Sequence, residues 1–178
     1  MTSSLNLRQR LCHFPRVGRL VWIGLRPQRR VPMVVVSQVR ALAELGLEGD
    51  RYAVPRDTSR TPRRRQVTLI AAEHLVAMAS FLGRETVDPA LVRRNLVVEG
   101  INVPALRERR FWIGEALFEA TGLCHPCSRL EETLGKGGYG AACGHGGLTA
   151  RVLTTGLLTR GDGVTVVPVT ASGEDLGD

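Results

Sequence analysis

Residues 121–135 read TGLCHPCSRLEETLG, with Cys124 and Cys127 three positions apart, His125 beside the first and a short helix signal behind the second. Thiols at this spacing can ligate zinc, close a disulfide, cycle as a redox dithiol, or serve as a scaffold for one working thiolate. For zinc, Cys143 and His145 supply a second pair of donors separated from Cys127 by 15 residues. That separation suits a zinc ribbon, although C-x-H is an uncommon second half. A redox dithiol belongs at the start of a long helix in a βαβ frame, and the helix signal here stops at Gly135. For a single thiolate, Ser128 and Glu131 stand in the S-x-x-E relation of a capping box, which leaves Cys127 just outside a helix N-terminus. Unpaired N–H groups there, with Arg129 nearby, favour the charged sulfur, so reactivity is expected at Cys127 rather than Cys124. Small buried thiols that only fill space are the remaining alternative.

The rest of the chain bounds these options. Its 178 residues, 43% hydrophobic and 23% charged, have the size and composition of one globular domain with its own core. No apolar run approaches the ~20 residues of a membrane span, and no uninterrupted hydrophobic region opens the chain as in a secretory signal. A soluble cytoplasmic protein is expected, and in a reducing compartment four cysteines speak against a disulfide framework. The first 14 residues, free of acids and bearing Arg and Ser, have the composition of an organellar transit peptide and equally of a frayed terminus.

The net charge of +7 is almost wholly arginine, Lys136 being the only lysine. No acid precedes Glu44, whereas eight arginines do, and Arg60, Arg63, Arg64 and Arg65 crowd one turn-like stretch. Either this is a solvated basic face or the ligand is anionic. With 4% aromatic residues, none interleaved with the basic ones, stacking platforms are poor and nucleic acid is disfavoured against a phosphate on a small molecule.

The elements that must position these groups are short. VGRLVWIGL (17–25) reads as a strand that ends before Pro27, and MVVVSQVRAL (33–42) as a second. ELGLEGDRYA has the composition of a turn or bulge, and residues 55–65 that of a loop. QVTLI is a strand leading into the helix AAEHLVAMASFLG, where Leu75, Met78, Ala79 and Leu82 recur at helical spacing before a stop at Gly83. His74 on that helix is read as a packed or surface residue rather than a ligand. DPALVRRN starts a short helix with Asp88 as N-cap and Pro89 at its first position. LVVEG, RRFWIG, EALFEATG, GLTARVLTTG and DGVTVVPVT read as further strands. The sum is a mostly β (β-rich α+β) fold, a closed or nearly closed barrel with a few short helices. GKGGYG (135–140) matches G-x-G-x-x-G, but no strand precedes it and no long helix follows, so it reads as a flexible glycine loop rather than a dinucleotide site.

In order along residues 17–168, the segments GLEGDRY, RQVTLI, RRNLVVEGINVPAL, FWIGEALFEATGLCHPCSRLEE and GHGGLTARVLTTGLLTRGDGV resemble the stand-alone bacterial form of the MOSC domain. This domain also ends molybdenum cofactor sulfurases and occurs in mitochondrial amidoxime-reducing proteins. The resemblance implies a MOSC-type β-barrel over residues 17–170; composition makes residues 1–16 a flexible extension and 171–178, with Gly, Glu and Asp and no apolar partner, a disordered acidic tail. It also implies one functional cysteine, the second of the pair, Cys127. That thiolate would ligate the molybdenum of the pterin cofactor (molybdopterin), for reduction of N-hydroxylated compounds, or carry sulfur as a persulfide. Arg94 and Asn95, with Arg93 beside them, would hold the phosphate end of the cofactor, and Arg65, which with Gln66 belongs to another fixed segment, is a further cofactor-binding candidate. An electron- or sulfur-donor protein is the implied partner. The separate N-terminal barrel module of the larger molybdenum proteins has no counterpart in the roughly 16 residues before the first strand, so the expectation is weaker cofactor binding, or a cradle shared with a partner or completed by a second copy. The alternative remains a non-enzymatic zinc domain held by Cys124, Cys127, Cys143 and His145 that binds an acidic partner or nucleic acid through its arginines. A plain interaction domain with inert cysteines is a third class.

Overall fold

The structure, a computed structural model, describes residues 13–54 and 63–168. The expected extension at 1–16 lies mostly, and the acidic tail at 171–178 wholly, outside the described residues. The described strands are β1 (Gly18–Leu25), β2 (Val34–Val36), β3 (Gln38–Leu42), β4 (Gly46–Leu47), β5 (Val67–Ala71), β6 (Leu96–Glu99), β7 (Arg110–Ile113), β8 (Ala116–Leu123), β9 (Leu148–Thr154), β10 (Gly156–Thr159) and β11 (Gly163–Val166). Four short α-helices accompany them: α1 (Ala72–Phe81), α2 (Pro89–Val92), α3 (Ser128–Leu134) and α4 (Gly138–Ala141).

Seven strands close a barrel in the order β1-β11-β7-β8-β9-β5-β6, the seam being the antiparallel pair β1–β11 with Gly18 opposite Val164. Alternation decides which side chains fill it. Along β8, Ala116, Phe118 and Ala120 are buried between half-buried neighbours; on β7, Phe111 and Ile113 are buried while Trp112 is exposed. Phe111 and Phe118 face each other across the pair with ring centroids 5.7 Å apart and ring planes within 10° of parallel. With Leu20, Ile23, Leu69, Leu96, Leu148 and Val152 they form the barrel interior. Burying each such side chain is worth about 1.5–3 kcal/mol.

The pair β5–β6 is the only parallel one among the described strands, with Leu69 opposite Leu96. Parallel neighbours need a crossover, and the chain supplies α1 and α2 for it. These helices, with α3, cover part of the outer wall: Leu75, Met78 and Ala79 of α1, Val92 of α2, and Leu130 and Leu134 of α3 pack on Ile70 and Val97, the outward residues of β5 and β6. Asp88 caps α2 as expected, its carboxylate accepting from Ala90 N at 2.8 Å. Helix α1 ends as expected, with Gly83 at φ +63 just beyond it. No helix among the described residues is long and apolar enough to cross a membrane.

Three local expectations are corrected. The run 33–42 is not one strand: it breaks at Ser37 into β2, which extends from β1, and β3, which joins β4 and β10 in a separate small sheet. The glycine-rich stretch after Gly135 is not a continuous loop, because residues 138–141 form the one-turn α4. Ser128 is not the N-cap of α3; Cys127 is, with extended backbone and no side-chain cap. The capping box fails because Glu131 is engaged elsewhere. Its carboxylate accepts from Gly137 N at 2.9 Å and Tyr139 N at 2.7 Å, satisfying the start of α4. Those two bonds hold the Glu131 carboxyl below its ordinary range.

Candidate functional site

On β5, Val67, Leu69 and Ala71 belong to the barrel interior and Ile70 to the outer layer, so Thr68 also faces outward. The same alternation turns out Thr149, between Leu148 and Ala150, and Asn95, just before Leu96. These residues lie on one belt, since Thr68 is opposite Thr149, which is opposite Gly122. Where the helices stop, this belt floors a cavity of about 830 Å³ on the outside of the barrel. Its wall includes Arg26, Arg63, Arg64, Arg65 and Arg94, together with Tyr52, Cys124, His125 and Cys127. Among the described residues no Asp or Glu lines it.

Cysteines reach the cavity because β8 is bent at its end. Its register with β9 shifts between Ala120 and Gly122, and the Thr121 and Thr149 hydroxyls meet at 2.9 Å across the irregularity. Beyond it, Cys124 N donates to Gly147 O at 2.8 Å. The two glycines opposite are a steric requirement: a Cβ on Gly146 would lie 1.9 Å from Cys124 O, and one on Gly147, at φ +84, would lie 1.9 Å from Leu69 O. Gly146 also anchors the basic wall, its carbonyl accepting from Arg94 Nε at 2.7 Å. The two thiols differ. Cys127 is exposed, whereas Cys124 is half-buried; burial pushes its thiol above the ordinary range despite Arg94, Arg65 and Arg26 nearby.

Behind the cavity lies a buried network that the sequence did not announce. The Arg26 guanidinium donates to both Asp50 oxygens, at 2.9 and 3.3 Å, and to Asn95 Oδ1 at 2.6 Å. Asn95 Nδ2 donates to Asp50 Oδ2 at 2.8 Å and to Gly24 O at 3.0 Å. Burial alone would raise the Asp50 carboxyl, but the Arg26 guanidinium and the N–H groups of Tyr52 and Arg26 hold it below its ordinary range. Arg26, Arg51 and Arg63 all approach the Tyr52 ring, at 4.8, 4.3 and 5.1 Å from its centre.

The expected site residues therefore divide. Arg65, Arg94 and Cys127 line one cavity. Asn95 is fully buried beneath it with its amide engaged. Arg93 is outside the lining, in left-handed conformation at φ +55, donating to Val31 O at 2.9 Å. Arg63 and Arg64, singled out in sequence as part of a basic cluster, also line the cavity, whereas Arg26, Tyr52 and Thr149 were missed as wall residues. The zinc set is not assembled: among the described residues no three His, Cys, Asp or Glu side chains come together so as to hold a metal ion. Cys143 contacts Tyr139 O at 3.6 Å, and the His145 ring is packed between His74, at 4.9 Å, and Phe81, at 5.4 Å.

Comparison with known proteins agrees with this architecture. The family model of the MOSC domain matches residues 55–165. Among solved structures, the YuaD protein from Bacillus subtilis superposes with a TM-score of 0.73 at 16% identity, over 85% of this chain and 96% of that one. YiiM from Geobacillus stearothermophilus gives 0.67 at 16% identity, over 89% and 80%. YiiM from Escherichia coli gives 0.63 at 21% identity, over 85% and 71%. No curated protein matches the chain in sequence. A closed seven-stranded barrel carrying the family's sequence pattern over most of its length makes this chain a member of the MOSC-domain family.

Proposed function

We propose that this MOSC-domain protein binds the molybdenum cofactor in the arginine-lined cavity, with the Cys127 thiolate as its ligand to the metal, and serves in reduction of N-hydroxylated compounds. One observation carries the reading: an exposed cysteine and a set of guanidiniums share one cavity that no carboxylate lines among the described residues. The donor set fits the group. Thiolate sulfur suits a thiophilic metal, and guanidinium N–H pairs suit phosphate oxygens. Arg65 and Arg94 would hold the phosphate end, Asn95 would act from below by fixing Arg26, and Arg93 would brace the turn that presents Arg94. The bound cofactor supplies the two-electron removal of oxygen from an N–O bond, with electrons from a donor protein.

The chain's own residues do the rest. Cys124, kept protonated by burial, does not compete with Cys127 for the metal. Gly146 and Gly147 fix Cys124 and Arg94 relative to each other. Sulfur transfer from a Cys127 persulfide would need only an accessible thiol and would leave a basic cavity of this volume without a role. Metal analysis of protein from a cofactor-producing host, with Cys127→Ser alongside, tests the proposal. Molybdenum in the parent and not in the variant supports it. Equal molybdenum in both removes Cys127 as ligand, and a stoichiometric Cys127 persulfide without molybdenum moves the function to sulfur transfer.

A further inference from the structure

The cavity wall holds more positive charge than one phosphate monoester requires. Arg26 is neutralised by Asp50 at 2.9 Å. Arg63, Arg64, Arg65 and Arg94 remain, and no lining carboxylate among the described residues offsets them. A phosphate monoester carries about −1.5 to −2 charges at neutral pH, so it balances roughly two of these four. Arg63 and Arg94 are half-buried and Arg64 and Arg65 exposed, so all four can meet an anion in the cavity, and the surplus over one phosphate leaves room for a second.

The four also fall into two places. Arg94 is fixed to Gly146 O on the cysteine side, and with Arg65 it lines the cavity alongside Cys124 and Cys127. Arg63 instead leans on the Tyr52 ring, 5.1 Å from its centre, with its NH1 3.4 Å from Tyr52 O. Arg64 follows it in the chain and lines the same cavity. Tyr52 is itself held by Asp50, whose Oδ1 accepts from Tyr52 N at 3.0 Å. The second basic cluster is thereby tied to the buried network rather than to the cysteine loop.

We infer that the cavity has two anion positions, one at Arg65 and Arg94 beside the cysteines and one at Arg63 and Arg64 against Tyr52, each taking a phosphate-class group. The first would receive the cofactor phosphate and rests on the function proposed above. The second would receive another phosphate, carried either by a nucleotide extension of the cofactor or by a phosphorylated substrate. The existence of two positions depends on neither choice.

The test uses the full chain from a host unable to make the cofactor, so that its outcome is independent of molybdenum. Inorganic phosphate is titrated by calorimetry at low ionic strength and counted by equilibrium dialysis. The expected result is two phosphates per chain, with Arg63→Gln/Arg64→Gln losing one and Arg94→Gln losing the other. Circular dichroism of each variant confirms that it is folded. One phosphate or none in the parent, or loss of both sites together in either folded variant, overturns the inference. The source is then read from the cofactor-loaded protein. A nucleoside monophosphate released from the extracted cofactor assigns the second position to the cofactor. A bare pterin monophosphate, together with a 5′-phosphate preference among N-hydroxylated substrates that Arg63→Gln/Arg64→Gln abolishes, assigns it to substrate.

Discussion

Asp50 grips the Arg26 guanidinium through both carboxylate oxygens, at 2.9 and 3.3 Å, and both side chains are nearly inaccessible to water. Because Arg26 also reaches Asn95 and lies over Tyr52, this pair fixes the back wall of the cavity to β1, β6 and the turn after β4. Removing one partner strands the other as a buried charge. Asp50→Ala is expected to lower unfolding stability by about 3–5 kcal/mol in a denaturant titration. Arg26→Met/Asp50→Leu should recover part of that loss, because it leaves no unpaired charge.

Gly146→Ala tests whether the cysteine loop and the basic wall share a support. The added methyl would meet Cys124 O, and the same residue's carbonyl holds Arg94 Nε. A cost of about 1–3 kcal/mol is expected for the forced backbone shift. Phosphate binding at the Arg94 position should weaken, while binding at the Arg63 position stays near the parent value, as read by calorimetry.

Thiol labelling should separate the cysteines. At neutral pH Cys127 is expected to react with a maleimide faster than Cys124, whose half-buried thiol is held protonated. Tandem mass spectrometry over a time course reads the two rates, since cleavage at His125–Pro126 puts Cys124 and Cys127 on different fragments. Equal rates would show that the loop opens freely.

Stability should fall in mild acid through His74. Burial first, and the neighbouring His145 ring second, hold its pKa below the ordinary value, against a hydrogen bond with the His145 backbone and the weaker pull of Glu73. The folded state therefore keeps His74 neutral where the unfolded chain binds a proton, and stability declines as pH drops below about 6.5. Asp50 contributes nothing in that window, because its depressed pKa confines its loss to strongly acidic solution. Denaturant midpoints between pH 7.5 and 5.5 should drop for the parent and drop less for His74→Phe.

In the barrel, Phe118→Ala removes one member of the Phe111–Phe118 pair and should cost about 3–5 kcal/mol, leaving the denaturant slope unchanged.

Most of the architecture was legible because short alternating strands announce themselves by period and punctuation, as in β8, and because Asp88 and Pro89 mark a helix start in only one way. The cavity was legible in part. Arg65, Arg94 and Cys127 were singled out through a motif, but Asn95 matches the same motif and is buried, because Arg26 and Asp50, remote in sequence, close over its outward-facing side chain. The Arg26–Asp50 pair joins residues 24 positions apart through the closure of the sheet, and nothing local encodes it. The capping box failed for a similar reason: Glu131 had two partners six and eight residues ahead, in a glycine segment whose turn is set by tertiary packing.

The β1–β11 seam joins Gly18 to Val164, strands from opposite ends of the described chain. A nascent polypeptide cannot make that junction until β11 has left the ribosome, so until then the Gly18 end of β1 is an open edge, as is β7 once it has emerged. Such high contact order slows folding and lengthens the time these edges stay available to other chains. Yield in the cell should therefore respond to growth temperature and chaperone supply more than the equilibrium stability of the finished barrel suggests.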